Sequence, residues 1–338
     1  MRRVLVVGAG LFGRLVAERL RDIGIAPLVA TRHGPDLRID AEDEVSLRAS
    51  LRPGDVVVDT AGPFAMRTTR LARAAIDVGA DVVDLSESLA WSEAMLALGE
   101  RASANGTRLF VACSSVAASA GACVVASGID APLSIDLFIA PASADVASAA
   151  TVRGITGSIG RPVRTLRDGR LTVVTGYRDQ RAFPRSSRRG GLVESAASVL
   201  LARSWPSLRR AEFWVDPNAV LGRTALTLAA GLPPLAAIVR AVAPRVGAAG
   251  LGRHDGVFAV EIRDASRTAS YVFSAPRRSY LIAVEPAVIV AESLAHAASF
   301  APGVVLPHAQ LAPDVLFARL RALGITIEAG GNALSADG

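Results

Sequence analysis

The first 112 residues alternate between short apolar runs and amphipathic runs, and this alternation constrains the fold more than any other feature. Strands are predicted at 2–7, 26–31, 55–61, 81–86 and 108–113. Helices are predicted at 11–24, 41–51, 66–79 and 87–106. Continuous apolar strands that alternate with helices are typical of a parallel sheet with both faces covered. The pattern therefore predicts an α/β fold with a Rossmann-type, doubly wound parallel sheet.

The pattern changes after about residue 130, where we expect a second unit of α+β type with an antiparallel or mixed sheet. Strands are predicted at 134–140, 169–176, 209–216, 256–264, 267–275 and 279–285, and the last three form a meander. Helices are predicted at 145–160, 192–205, 219–243, 285–301 and 312–325, and the third is broken at Pro233–Pro234. We predict a dinucleotide-binding domain at 1–120, a substrate and dimerisation domain at 121–284, and C-terminal helices at 285–338 that pack back on the first domain.

The composition excludes several function classes. All 37 basic residues are arginine, so no lysine can act as a base or a Schiff-base nucleophile. The arginines are dispersed, and the basic stretch 184–191 is interpreted as a solvated loop, so no nucleic-acid partner is expected. Two cysteines form neither a metal site nor a disulfide framework. The apolar segment 225–244 is interrupted by Pro233, Pro234 and Arg240, so no membrane span is expected, and we predict a cytoplasmic protein without a metal.

A glycine-rich turn separates the first predicted strand from the first predicted helix. Gly8 permits the tight turn, Gly10 lets the backbone approach a pyrophosphate, and Gly13 lets helix and strand pack closely. The helix N-terminus presents free N–H groups to phosphates. We predict that the whole turn contacts a dinucleotide, through Gly8, Ala9, Gly10, Leu11, Phe12 and Gly13.

The end of the second strand distinguishes between cofactors. NAD-binding units usually carry Asp or Glu at this point, whereas this chain has Thr31, Arg32 and His33. A hydroxyl followed by a guanidinium suits the 2′-phosphate, so NADP(H) is favoured over NAD(H). The alternative interpretation is that Arg32 is a solvent-facing loop residue. Asp40 is predicted to cap the next helix.

Four segments, GAGLFG, DAEDEVSLRASL, VVVDTAGPF and AIDVGADVVDLSE, occur in the order found in one family. In these segments the chain resembles the saccharopine dehydrogenase-like family of NADP-binding oxidoreductases. The resemblance implies a homodimer and a cofactor whose nicotinamide half is lined by Ala61, Gly62, Pro63 and Phe64. It also places Leu85 and Ser86 beside the cofactor and Asp40 near the adenine. Relatives often carry an acidic loop after the sixth strand, whereas this chain has CSSVAASAGA at 113–122.

Candidate proton donors are few; the sequence assigns no catalytic residue, and the candidates are Ser86, Glu87 and Tyr280. Ser86 and Glu87 follow a parallel strand at the edge where ligands bind, although Glu87 equally suits a helix start. Tyr280 occupies a position where relatives often have tyrosine, although it could be a sheet aromatic. Arg67 and Arg70 could bind an acidic substrate, but a solvated helix face is the favoured interpretation.

These observations predict an NADP(H)-dependent oxidoreductase that reduces a C=N, C=O or activated C=C bond of a small metabolite. The alternative is a non-catalytic or redox-neutral protein that keeps the dinucleotide-binding fold. The aliphatic segment 219–243 has two interpretations. It is either a core or dimer-interface element, or the wall of a pocket for an apolar substrate.

Overall fold

The computed structural model of the chain describes residues 1–34, 36–145, 149–218, 222–247 and 252–333. In chain order the strands are β1 Val4–Val7, β2 Leu28–Thr31, β3 Leu37–Arg38, β4 Val56–Asp59, β5 Asp81–Asp84, β6 Arg108–Phe110, β7 Ser134–Ala140, β8 Pro162–Arg167, β9 Arg170–Thr175, β10 Gln180–Ala182, β11 Arg189–Val193, β12 Arg210–Val215, β13 Gly256–Arg263, β14 Arg267–Ala275, β15 Gly303–Val304 and β16 Thr326–Ala333. The helices are α1 Leu11–Asp22, α2 Glu44–Ser50, α3 Arg70–Val78, α4 Leu89–Leu96, α5 Gly99–Ala104, α6 Ala120–Ser127, α7 Ala149–Thr156, α8 Ala197–Ser204, α9 Gly222–Gly231, α10 Pro233–Gly247, α11 Leu281–Ala295, α12 Pro307–Gln310 and α13 Pro313–Ala322.

The first sheet is parallel throughout, with the order β15-β6-β5-β4-β1-β2-β3. Strands β1, β4 and β5 are buried along their whole length, because helices cover both faces. The predicted doubly wound α/β sheet is confirmed. Its strands are in a register that pairs Asp59 with Asp84 at their carboxyl ends.

The second sheet is mixed, as predicted. Its order is β10-β11-β12-β7-β13-β14-β16, and the hairpin β8–β9 pairs with β12. Strands β12 and β7 run parallel, while β13, β14 and β16 form an antiparallel ladder. The predicted strands at 134–140, 209–216, 256–264 and 267–275 are all present. Of the predicted helix at 145–160, residues 146–148 lie outside the described residues, as do 219–221 of the next apolar segment.

The prediction of a strand at 279–285 is wrong, because residues 281–295 form one helix, α11. Twelve of its residues are buried, among them Leu281, Ile282 and Val284. A helix that is apolar on nearly every side has no amphipathic period, so its first turns resemble a buried strand. Tyr280 consequently precedes a helix and is not a sheet aromatic.

Other boundaries also differ from the sequence-based predictions. The predicted helix at 192–205 begins at Ala197, because β11 occupies 189–193, which includes part of the predicted loop 184–191. The predicted helix at 87–106 is two helices, α4 and α5. Helix α2 is capped by Asp43, whose carboxylate accepts from Val45 N at 3.1 Å, and not by Asp40. Strand β16 was not predicted at all.

The C-terminal segment contacts both sheets. Helix α11 packs on α1, where Arg19 Nε donates to buried Glu285 at 3.1 Å, and β15 extends the first sheet beside β6. Strand β16 instead pairs with β14 of the second sheet. Arg2 N, just before β1, donates to Ala295 O at 2.9 Å. The C-terminal end of α11 therefore lies where the parallel strands begin, and its N-terminal end points toward their carboxyl edge.

Within the described residues, no helix is long and apolar enough to span a membrane. The same part of the chain holds no group of His, Cys, Asp and Glu side chains arranged to bind a metal ion.

Candidate active site at the carboxyl edge of the first sheet

The glycine-rich turn after β1 is tightly packed on one side. Gly8 has φ +107°, and a Cβ there would lie 2.9 Å from Ala61 Cα, so a side chain is excluded by conformation and by space. A Cβ on Gly13 would lie 1.9 Å from Gly8 O and 2.6 Å from Thr60 Oγ1. Gly13 is therefore required for α1 to pack against the turn, as predicted from the sequence.

The other side of the turn is open. No described atom beyond its own helix and neighbours lies within 4 Å of where a Cβ of Gly10 would stand. Gly10 is the N-cap residue of α1 and has no side chain to accept hydrogen bonds from the first turn. Ala9 and Gly10 are exposed, and Leu11 and Phe12 are half-buried at the helix start. The open backbone and free N–H groups fit a pyrophosphate.

Thr60 holds the turn in place, although the sequence gave no reason to select it. Its Oγ1 lies 2.9 Å from Val7 O and 3.2 Å from Gly8 O. This side chain joins the end of β4 to the end of β1, directly behind the glycines. The only signal in the sequence was its position near the end of the strand predicted at 55–61.

Thr31 ends β2, and the exposed side chains of Arg32 and His33 follow it. Among the described residues, Arg32 has no hydrogen-bond or ion-pair partner. The first carboxylate after the strand, Asp36, accepts a hydrogen bond from Val29 N at 3.2 Å. Asp40 accepts from Glu42 N at 3.0 Å. The strand end therefore carries a free guanidinium, and its nearest acid is already hydrogen-bonded to the backbone.

The loop after β4 places Ala61, Gly62, Pro63 and Phe64 beside the glycine turn. The space around a Cβ of Gly62 is open, as at Gly10, among the residues that the structure describes. Phe64 packs edge-on against Trp91, with ring centroids 5.0 Å apart. The backbone of the loop at Gly62 therefore has unfilled space in front of it.

Arg67 lies under this loop and is not on a solvated helix face, which corrects the favoured interpretation. Its side chain is 9% exposed, and Nη1 donates to Asp59 at 2.9 Å and to Ala61 O at 2.5 Å. The guanidinium also stacks near the rings of Phe64 and Trp91. Arg70 stays exposed and donates to Glu42 O at 2.8 Å. Arg67 therefore positions the loop.

Asp59 and Asp84 form a buried acidic pair at the ends of β4 and β5. Burial raises the pKa of Asp59, and Arg67 partly offsets this increase. Burial raises the pKa of Asp84 to about 7, although Ser86 N donates to its carboxylate at 2.8 Å. Both residues could have been found from the sequence, because each ends an apolar run in the same way.

Glu87 receives two hydroxyl hydrogen bonds from the loop that follows β6. Ser114 Oγ donates to its Oε1 at 2.8 Å, and Ser115 Oγ lies 3.2 Å from the same atom. Burial raises the pKa of Glu87, while the two hydroxyls oppose that increase. Residues 113–122, which include a helical turn at Ser115–Ser119 and the start of α6, contain no acid, but Glu87 brings a carboxylate to them from the end of the neighbouring strand β5.

The remaining candidates differ in placement. Leu85 and Ser86 follow β5, and buried Ser86 accepts from Ser88 N at 3.2 Å through its hydroxyl. Tyr280 is half-buried at the N-terminal end of α11, the end that points toward the carboxyl edge of the first sheet. No described hydrogen bond joins Tyr280 to Ser86 or Glu87. The structure therefore joins Glu87 to Ser114 and Ser115, which sequence analysis did not select individually.

The comparison with family models decides the nature of this unit. Residues 4–110 match the model of the saccharopine dehydrogenase NADP binding domain. The resemblance predicted from the four segments is confirmed over these residues. The match covers the glycine turn, the end of β2, the loop 61–64 and Glu87, so these parts of the site lie within the residues that are similar to this domain.

Several solved structures are similar to the whole chain. An amine dehydrogenase from Mycobacterium smegmatis is 12% identical, with 92% of this chain and 98% of that chain covered and a TM-score of 0.46. GenD2 from gentamicin A biosynthesis, in complex with NAD, is 13% identical, with 99% and 97% covered and a TM-score of 0.45. UDP-N-acetylglucosamine 3-dehydrogenase GnnA from Acidithiobacillus ferrooxidans is 12% identical, with 95% of each chain covered and a TM-score of 0.42. At these scores the similarities carry no argument about reaction or substrate. No curated protein sequence matches the chain.

Proposed function

We propose that the protein is an NADP(H)-dependent oxidoreductase that reduces a C=N, C=O or activated C=C bond of a small metabolite. The observation that carries this proposal is the unfilled space in front of two glycines, Gly10 and Gly62, on facing loops of a dinucleotide-binding domain. Backbone without side chains on both loops suits a flat, phosphate-bearing ligand.

The residues present fit NADP(H) in three places. The pyrophosphate would lie on Gly8, Ala9, Gly10, Leu11, Phe12 and Gly13, where the helix N-terminus favours negative charge. The 2′-phosphate would lie beside Thr31, Arg32 and His33, with Asp40 toward the adenine. Arg32 supports NADP(H) over NAD(H), because its guanidinium has no described partner and Asp36 is engaged with Val29 N.

The nicotinamide half would lie against Ala61, Gly62, Pro63 and Phe64, next to Leu85 and Ser86. When bound, the cofactor supplies the hydride, and the protein must supply orientation and a proton. Arg67 and Asp59 fix the loop 61–64, so the face presented to the substrate is held by a buried ion pair.

Glu87 is the proposed proton donor. Its pKa is raised by burial, so its protonated form persists closer to neutral pH than that of an exposed glutamate. Ser114 and Ser115 orient the carboxyl group through their hydroxyls. Ser86 and Tyr280 remain secondary candidates, Ser86 because it adjoins Glu87 and Tyr280 because α11 directs it toward this edge.

The finer assignments are part of the same proposal. Resemblance to the family supports a homodimer, with domains at 1–120 and 121–284 and a returning segment at 285–338. The thiols of Cys113 and Cys123 are buried and free, which supports a reducing, cytoplasmic compartment.

A panel of imines, ketones and enones, assayed by NADPH absorbance, tests the proposed reaction. We expect NADPH consumption with at least one class. A second candidate, a non-catalytic or redox-neutral protein, rests on the absence of an acid within loop 113–122. NADPH binding without turnover across the panel would favour that candidate, whereas turnover eliminates a non-catalytic role.

A further inference from the structure

A cavity of about 470 Å³ lies at one end of the second sheet, a volume within the range of small-molecule sites. Its wall is formed by the start of β7, the β8–β9 turn, the start of β12 and the end of β13. The wall contains four arginines, Arg167, Arg209, Arg210 and Arg263. We call this space the arginine cavity.

The backbone at this end of the sheet fixes where three of the arginines start. Leu133 N donates to Arg263 O at 2.7 Å. Leu133 O accepts from Arg209 N at 2.9 Å and from Arg210 N at 3.1 Å. Ser134 of β7 is paired in register with Arg210 on one side and with Arg263 on the other. Residues paired in register project from the same face of a sheet, so these two arginines flank the small Ser134 side chain.

The arginine cavity is on the face of the second sheet that points away from the first sheet. Ile135 and Ile262 belong to the buried core that also contains Val6 of β1. Ser134 and Arg263 are their direct neighbours along β7 and β13, and successive strand residues point to opposite faces. The arginine cavity is therefore separate from the proposed cofactor site.

The arginines of this cavity keep hydrogen-bond donors that no described acceptor uses. Arg210 Nη2 donates to buried Asp136 at 2.8 Å, and Arg263 Nη2 donates to Glu261 at 2.7 Å. Among the described residues, neither Nη1 has a hydrogen-bond partner, and Nε of both arginines is also unpartnered. Arg209 has no side-chain hydrogen bond or ion pair within the described part of the chain.

Two of the three acids in the wall are already engaged. Glu212 accepts from Arg167 Nε at 2.5 Å, and Asp264 accepts from Ser266 N at 2.7 Å. Asp168, in the β8–β9 turn, is exposed and has no partner among the residues that the structure describes. The unused guanidinium donors therefore suit an acceptor that comes from outside the chain.

We propose that the arginine cavity binds a small metabolite that carries a phosphate group. A phosphate presents three strong acceptor oxygens, and arginines from three different strands surround this cavity. A carboxylate, in contrast, is matched by the fork of a single guanidinium. Leu133 alone is aliphatic among the wall residues, so the rest of the ligand should also be polar. This binding does not depend on the proposed reaction.

Calorimetric titration of the full-length protein with inorganic phosphate tests the proposal, at an ionic strength held constant with sodium chloride. We expect saturable binding. The double variant Arg209→Gln and Arg263→Gln should weaken it by about tenfold or more, because two charges that meet the phosphate are removed. The control Arg48→Gln and Arg73→Gln removes two exposed arginines of the first unit and should bind within about twofold of the wild type.

The variant Asp168→Asn should act in the opposite direction. It removes the unpartnered acid of the wall, so phosphate should bind about threefold more tightly. Asparagine tolerates the positive φ of 51° at this position, so the turn should be kept. A purely structural role of the arginines does not predict this gain. Circular dichroism and the melting temperature establish that every variant folds.

The proposal is overturned if the wild type shows no saturable phosphate binding. It is also overturned if the double variant binds phosphate as tightly as the wild type, as it would if phosphate occupied the glycine-rich turn. Acetate binding as tight as that of phosphate would contradict the assignment to a phosphate group. If light scattering shows that the double variant converts a dimer to a monomer, the cavity receives a second copy of the chain and the proposal is wrong.

Discussion

Arg67 Nη1 donates to both carboxylate oxygens of Asp59, at 2.9 and 3.2 Å, and the two side chains are almost completely buried. Nη1 also donates to Ala61 O at 2.5 Å. The last residue of β4 is thereby joined to the loop that faces the proposed nicotinamide site. The pair therefore fixes the position of the loop.

Replacing Arg67 with alanine should destabilise the protein by about 3–5 kcal/mol, because buried Asp59 would lose its counter-charge. Urea unfolding measures this change. The control Arg73→Ala, on the exposed side of α3, should cost no more than about 0.5 kcal/mol. Adding Asp59→Asn to Arg67→Ala should recover part of the loss. Equal stability of the Arg67 and Arg73 variants would contradict the structural role.

Asp84 should make stability depend on pH. Its pKa rises from 3.8 in the unfolded chain to about 7 in the folded protein, so the folded state binds its proton more tightly. Between these values the free energy of unfolding should fall as pH rises, by at most about 1.4 kcal/mol per pH unit. Asp84→Asn should flatten the profile between about pH 4 and pH 7, whereas parallel profiles for wild type and variant would show that Asp84 does not titrate there.

Two glycines of the same turn should respond differently to alanine. Gly10→Ala places its methyl group in open space, so the melting temperature should hold while NADPH binding weakens by about tenfold or more. Gly13→Ala drives its methyl group into Gly8 O and should cost about 1–3 kcal/mol of stability. Calorimetric titration and thermal unfolding separate the two effects. Tight NADPH binding by Gly10→Ala would show that the glycine-rich turn is not part of the cofactor site.

Glu87→Gln should keep NADPH binding and lower kcat by about 10²–10⁴-fold, because the amide cannot donate the proton. Ser114→Ala keeps the carboxyl group but removes a hydrogen bond that stabilises its charged form. The pKa of Glu87 should then rise, and the alkaline limb of the kcat profile should move to higher pH. An unchanged kcat in Glu87→Gln would show that Glu87 is not the proton donor and would leave Ser86 and Tyr280 as the candidates.

Local sequence signals were sufficient for five of the seven strands of the first sheet, and only the short strands β3 and β15 were not predicted. Apolar strands ending at Asp59 and Asp84, and glycines at fixed spacing, each act within a few residues, so periodicity and turn chemistry reveal them. The first turn of α11 was assigned to a strand, because an apolar run buried on nearly all sides has no helical period, whereas the rest of the helix was predicted at 285–301. Strand β16 was not predicted, because it is formed by pairing with β14 about 60 residues earlier, and local sequence patterns do not reveal such a pairing.

In the candidate site too, the residues set by local sequence could be predicted, whereas the contacts between distant residues could not. The turn around Gly10 and the end of β2 could be predicted, because the ligand-binding groups follow a strand directly. The contact between Ser114 and Glu87 spans 27 residues and depends on β5 and β6 being neighbours. The position of Arg67 could not be predicted, because a 3-10 turn at Phe64–Met66 directs it inward before α3 begins.

Calorimetric titration of the protein with NADPH and with NADH tests the central claim most directly. We predict that NADPH binds more tightly than NADH, and that Arg32→Asp weakens NADPH binding by about tenfold or more by removing the 2′-phosphate contact. Arg73→Asp, a charge reversal elsewhere in the same unit, should leave both affinities unchanged. Absence of binding by either nucleotide, or an NADPH-to-NADH preference that Arg32→Asp does not alter, would contradict the account.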